Sequence, residues 1–128
     1  MKVSTQEWVD KAEGDWEVAL RVFRARQKPN YDAACFHAQQ CVEKYLKARL
    51  NEAGIIFRKI HDLGELLKPI LPAEPSWVAL QPALDNLNKY AVLYRYPGFN
   101  AAKSEAKTAL DDCRKVRRVV RTAFGLPV

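Results

Sequence analysis

One stretch limits what this chain can become. Residues 31–53, YDAACFHAQQCVEKYLKARLNEA, place apolar side chains over an unusually wide face when wound at about 3.6 residues per turn. Tyr31, Ala34, Cys35, Ala38, Cys41, Val42, Tyr45, Leu46 and Ala53 fall on one side. A helix with so broad an apolar face has to be covered by helices on two or more sides, so the spacing predicts a central rod inside a bundle. Phe36 and Leu50 sit outside the main stripe, flanking Glu43, and require a second neighbour or a partner subunit. His37, Gln40, Lys44 and Lys47 line an adjoining polar edge, the place where function is expected to show.

The rest of the chain supplies the cover. Ser4-Thr5-Gln6-Glu7 offers a capping box, and Val9, Ala12, Trp16, Ala19 or Leu20, and Phe23 recur at helical spacing through about Gln27, where Lys28-Pro29-Asn30 ends the pattern. Acids come early in that helix and bases late, as its dipole favours. The rod should start near Asn30 or Asp32 and stop at Gly54, with the Arg49 stem packed and its head reaching water. His61-Asp62 opens a short helix over about 63–71, broken by Pro69 and Pro72. Ser76 is placed to cap a fourth helix through Trp77, Leu80, Leu84, Leu87, Ala91 and Tyr94, with Pro82 tolerable only in a first turn or at a kink. A last helix over about 101–124 turns Ala102, Ala106, Ala109, Leu110, Cys113, Val116, Val120 and Ala123 inward and stops at Gly125. No strand period or internal repeat interrupts this series. The expected fold class is all-α, an up-and-down helical bundle of about five helices, four long and one short, forming a single domain over residues 1–128.

Composition narrows the function. The hydrophobic fraction of 48% and charged fraction of 28% are ordinary for a globular chain. MKVSTQEWVD lacks the apolar core of a secretion signal and no run is long enough to span a bilayer, so a cytoplasmic location without membrane contact is expected. Cys35, Cys41 and Cys113 are odd in number, and the first two point about 120° apart on one helix, so buried reduced thiols are expected rather than a disulfide. Two histidines and three scattered cysteines match no metal-ligand spacing, and no glycine-rich phosphate loop or serine with a recognisable base occurs; neither metal nor cofactor is expected. The formal charge of +6 favours an acidic partner only mildly.

Three separated motifs, FHAQQCVEKYLKARL, then HDLGELL, then YRYPG before the final helix, resemble those of the HEPN domain family in their order and spacing. The resemblance runs from Trp8 to the last helix. It implies a five-helix bundle that frequently dimerises and is often encoded beside a minimal nucleotidyltransferase. Many members act as metal-independent ribonucleases or toxins, using an Arg followed after four to six residues by a His. Here the residues five to seven positions before His37 are Asn30, Tyr31 and Asp32, and those before His61 are Gly54, Ile55 and Ile56; after Arg95 the same spacing reaches Asn100, Ala101 and Ala102. The nuclease motif is absent, and its loss matters because metal-free RNA cleavage needs a group that takes up and releases protons near neutrality, which Asn cannot do.

Two sets of site residues follow. Arg95 and Tyr96 put a cation and an aromatic at a helix end, a combination suited to phosphate and base, unless Arg95 caps carbonyls or pairs with a carboxylate and Tyr96 joins the core. Asn100 can bind a base or phosphate, and His37, Gln40 and Lys44 can hydrogen-bond a nucleotide from one helical edge, unless His37 is a satisfied packing residue. Arg114, Lys115, Arg117, Arg118 and Arg121 form a basic face able to hold RNA phosphates or an acidic protein. The expected function is that of a HEPN protein, homodimeric, which binds a nucleotide or RNA beside a nucleotidyltransferase partner in a toxin–antitoxin-like module without cutting it. The alternative is a metal-independent ribonuclease toxin with a degenerate site drawing on His37 or His61; no catalytic residue is assigned.

Overall fold

The computed structural model describes residues 1–93 and 96–128. In chain order its helices are α1 (Val3–Arg24), α2 (Tyr31–Glu52), α3 (Leu63–Leu67), α4 (Gln81–Asn88), α5 (Tyr90–Leu93) and α6 (Lys103–Ala123). No strand occurs among the described residues, and none of the helices is long and apolar enough to cross a membrane.

The rod is α2. The Asn30 Oδ1 accepts the Ala33 amide at 3.0 Å and caps its start. Its end is a Schellman turn, in which the Gly54 amide reaches the Asn51 carbonyl, the Ile55 amide reaches the Leu50 carbonyl, and Gly54 takes φ 72°, a region where a side chain would be strained. α1 lies antiparallel along it. Thr5 donates to Glu52 at 2.9 Å at one end, and the Asn30 amide reaches the Val22 carbonyl at the other. α6 covers a second side and α3, α4 and α5 cover more. Ala12, Ala19, Ala34, Ala38, Cys41, Ala106, Ala109 and Cys113 are all fully buried, and such small side chains let the three long helices approach closely. Tyr45, Leu46 and Val116 fill the space left between them. Leu50 is also fully buried and Phe36 half-buried, so helices of this same chain supply much of the second cover. The three cysteines are free and buried.

Several local expectations are corrected by the structure. Ser4 is not a cap: α1 begins at Val3, and the Ser4 Oγ accepts instead from the Asn51 side chain at 2.8 Å, a tertiary bond that replaces the local one. Ser76 makes no capping bond either, because it lies inside a 3₁₀ stretch, Pro75–Leu80. The fourth long segment is accordingly that 3₁₀ stretch followed by α4, with Pro82 in the first turn of α4, and by the single turn α5. The Arg49 head reaches Glu74 at 3.4 Å rather than open water.

What positions the site is the link between α2 and α3. Ile55, Phe57 and Ile60 pack on the core, and Phe57 meets Trp8 edge-on with ring centroids 5.6 Å apart. Asp62 caps α3 through the Glu65 amide, and Asn88 of α4 holds both the Leu63 amide and the Asp62 carboxylate. His61, immediately before this doubly held cap, is thereby laid against α2.

Candidate functional site

The polar flank of α2 divides into two networks that face different neighbours. On the α1 side, Asp15 binds both His37, through Nδ1 at 2.8 Å, and Lys44. Asp15 comes from a turn of α1 whose apolar neighbours, Ala12, Trp16 and Ala19, are buried against the core, so its carboxylate is aimed back at α2. His37 and Lys44 are thus brought together, by an internal carboxylate.

Gln40 belongs to the other network. Its amide donates to the Gln39 Oε1 at 2.7 Å, and Gln39 donates to Glu43 at 3.2 Å. Glu43 and Lys47, one turn apart, form an ion pair of 3.0 Å with side chains only 7% and 9% exposed, and the Lys47 ammonium sits 5.8 Å from the Trp8 ring and 5.9 Å from the Phe57 ring. Lys47 is therefore sealed within the bundle rather than part of an open polar edge. The third partner of Glu43 is His61, whose Nδ1 lies 3.2 Å from Oε2. A carboxylate only accepts, so Nδ1 carries a hydrogen and, in the neutral imidazole, Nε2 keeps its lone pair, on a side chain that is 69% exposed. That imidazole borders a cavity of about 350 Å³ lined by Phe36, Gln40, Glu43, His61, Ala91 and Val92. A buried carboxylate, neutralised by a buried lysine, orients an imidazole at a partly apolar cavity: chemically, this can bind a polar ligand edge or accept a proton from one.

The other residues expected to form a site lie elsewhere. Arg95 falls outside the described residues; in sequence it follows Val92, a wall of the cavity, by three positions. Tyr96 is exposed. Asn100 lines a different cavity, of about 310 Å³, with Asn30 to Asp32 at the start of α2. On the basic face, Arg117 grips Glu13 with two hydrogen bonds of 2.8 and 2.7 Å, and Arg121 donates to the Tyr45 hydroxyl at 3.1 Å, a hydroxyl that itself donates to Glu13. Burial pushes the Tyr45 hydroxyl well above its ordinary pKa, and donation to Glu13 adds to the effect. These two arginines lock α6 onto α1 and α2. Arg114, Lys115 and Arg118 remain on the outer surface.

Glu43 and His61 together were not foreseen as one site. The sequence signal for Glu43 was the flanking pair Phe36 and Leu50, which marks its side of α2 as covered; nothing local joins it to a histidine eighteen positions on.

Among the described residues the structure is a helical bundle built round one rod, with the polar networks of His37 and His61 along α2. The HEPN domain matches residues 5–123, and the chain belongs to that family. It is 30% identical to a protein of Methanocaldococcus jannaschii named "Putative toxin MJ1304", over 89% of this chain and 84% of that one. Among solved structures, TT1696 from Thermus thermophilus superposes with a TM-score of 0.74 at 27% identity, covering 92% of this chain and 96% of that chain. ST0689, described as an archaeal HEPN homologue, gives 0.73 at 24% identity over 96% and 98%, a likeness of fold.

Proposed function

We propose that this chain is the HEPN component of a toxin–antitoxin-like module, a homodimer acting in the cytoplasm beside a minimal nucleotidyltransferase, and that it binds a nucleotide or RNA without cutting it. The observation that carries the reading is His61, oriented by Glu43 at the mouth of the 350 Å³ cavity with Nε2 unengaged. Gln40 on the same wall offers amide hydrogen bonds, and Arg95 and Tyr96 follow close in sequence after the Ala91–Val92 wall with groups suited to phosphate and base, while Asn100 offers a polar group at the separate cavity beside Asn30. The toxin name of the Methanocaldococcus relative and the three free, buried thiols agree with this setting.

Titration of ATP and of a short single-stranded RNA against the pure protein tests the reading. Binding is expected to weaken as salt rises and to fall by about tenfold in His61→Ala and in Arg95→Ala, with His37→Ala near wild type. Absence of binding by both ligands at low salt removes the nucleotide part.

The Nε2 lone pair also favours a second reading, a metal-independent ribonuclease with a degenerate site. Attack by the ribose 2′-OH on phosphorus needs a base such as His61, while the departing 5′-oxygen needs a proton from a second group. Cleavage of RNA by the purified chain in chelator, lost in His61→Ala, would favour this reading over the first.

A further inference from the structure

The outer face of α6 carries a groove unrelated to the His61 cavity. Asp111, Arg114, Lys115, Arg118 and Val119 line one part, about 390 Å³, and Arg118 and Val119 continue into a second part of about 350 Å³ bounded by Glu74, Ser76, Trp77, Thr122 and Ala123. From Asp111 to Ala123 it follows about 18 Å of helix, the length of three turns of a docked helix. Its floor is aliphatic, through Val119 and Ala123, and its α6 rim is cationic through Arg114, Lys115 and Arg118.

Nearby acids do not cancel that rim. Asp111 is engaged by Lys107 and Arg114, and Glu74 by Arg49, whereas Lys115 and Arg118 meet no carboxylate among the described residues. RNA fits such a groove poorly. Trp77 is buried, and Trp16 lies beneath the Arg114 and Arg117 guanidiniums at 5.4 and 5.6 Å, so neither ring is open to stack a base. An apolar floor beside a cationic rim is complementary to a helix with an apolar stripe and carboxylates along the edge that meets α6.

We propose that this groove docks an acidic amphipathic helix of a partner protein. Val119 and Ala123 receive its apolar stripe, and Lys115 and Arg118 pair with its Asp and Glu side chains. The site is independent of the nucleotide reading and stands or falls separately from it.

The test uses the full chain and a fluorescent peptide of about five helical turns, with Leu at helical spacing and Glu elsewhere. A scrambled isomer of the same composition and an oligouridylate serve as the other probes. Anisotropy should show the amphipathic peptide binding about tenfold more tightly than its scramble. Lys115→Glu/Arg118→Glu should remove that binding, and Val119→Asp should remove the preference for the ordered peptide; Lys115 and Arg118 are exposed, Val119 is half-buried, and circular dichroism confirms folding of each variant. His61→Ala should leave peptide binding unchanged. Equal binding of both peptides, no binding of either, or oligouridylate binding that the charge reversal abolishes would each overturn the proposal, the last by making the face an RNA surface.

Discussion

Glu43→Ala should lower the stability of this protein by about 3–5 kcal/mol, because it strands the Lys47 ammonium in a place where water barely reaches. Lys47 has no other carboxylate among the described residues, and the Trp8 and Phe57 rings beside it recover only part of the lost attraction. Gln39 and His61 lose their acceptor at the same time. Urea unfolding monitored by circular dichroism measures the loss. The double variant Glu43→Leu/Lys47→Met removes both charges and should recover most of it, since the penalty lies in the unpaired ion rather than in the missing bridge. A Glu43→Ala loss under about 1 kcal/mol would mean that Lys47 escapes to solvent and that the network does not hold His61 in place.

Glu13→Gln is expected to cost about 2–3 kcal/mol at neutral pH, less than a fully buried pair because a quarter of the Glu13 side chain is exposed. Burial on its own would raise the Glu13 pKa, but hydrogen bonds from Arg117 and Tyr45 and the nearby guanidiniums outweigh it, and the carboxyl is held below its ordinary value. A carboxyl that is more acidic in the folded state contributes stability above its unfolded pKa and loses it as the pH falls through the folded one. Wild-type stability should therefore drop on the acid side of the carboxylate range, and the gap between wild type and Glu13→Gln should narrow there. Unfolding curves across that range check this. A gap that stays constant with pH would show that the Arg117 grip does not depend on the Glu13 charge.

How far the sequence reveals this architecture depends on how local each cause is. α2 is legible because covering a helix on several sides leaves an apolar pattern in its own composition, and the Asn30 and Gly54 signals act on adjacent backbone. The final helix is legible for the same reason, although Ala102 and Ala123, assigned inward by period, are exposed at its ends. The fourth segment is harder. Trp77, Leu80, Leu84 and Leu87 keep an apolar rhythm across a 3₁₀ stretch and then an α-helix, and over six residues periods of about 3.0 and 3.6 leave the same pattern. The site was the least visible part. Lys47 looks like a solvated lysine until Trp8 and Phe57, from two distant segments, close over it, and His37 reads as either a ligand group or a packing residue until Asp15 of α1 claims it. Each of these outcomes is set by tertiary contact, which a periodicity cannot carry.

The central claim is that His61, and not His37, is the imidazole that meets the ligand. Nitrogen-15 spectra of the two imidazoles, recorded while a short single-stranded RNA is added, address it directly. The Nε2 resonance of His61 should move with saturation while the resonances of His37, whose Nδ1 is held by Asp15, stay in place. Movement at His37 with His61 unchanged would contradict the account.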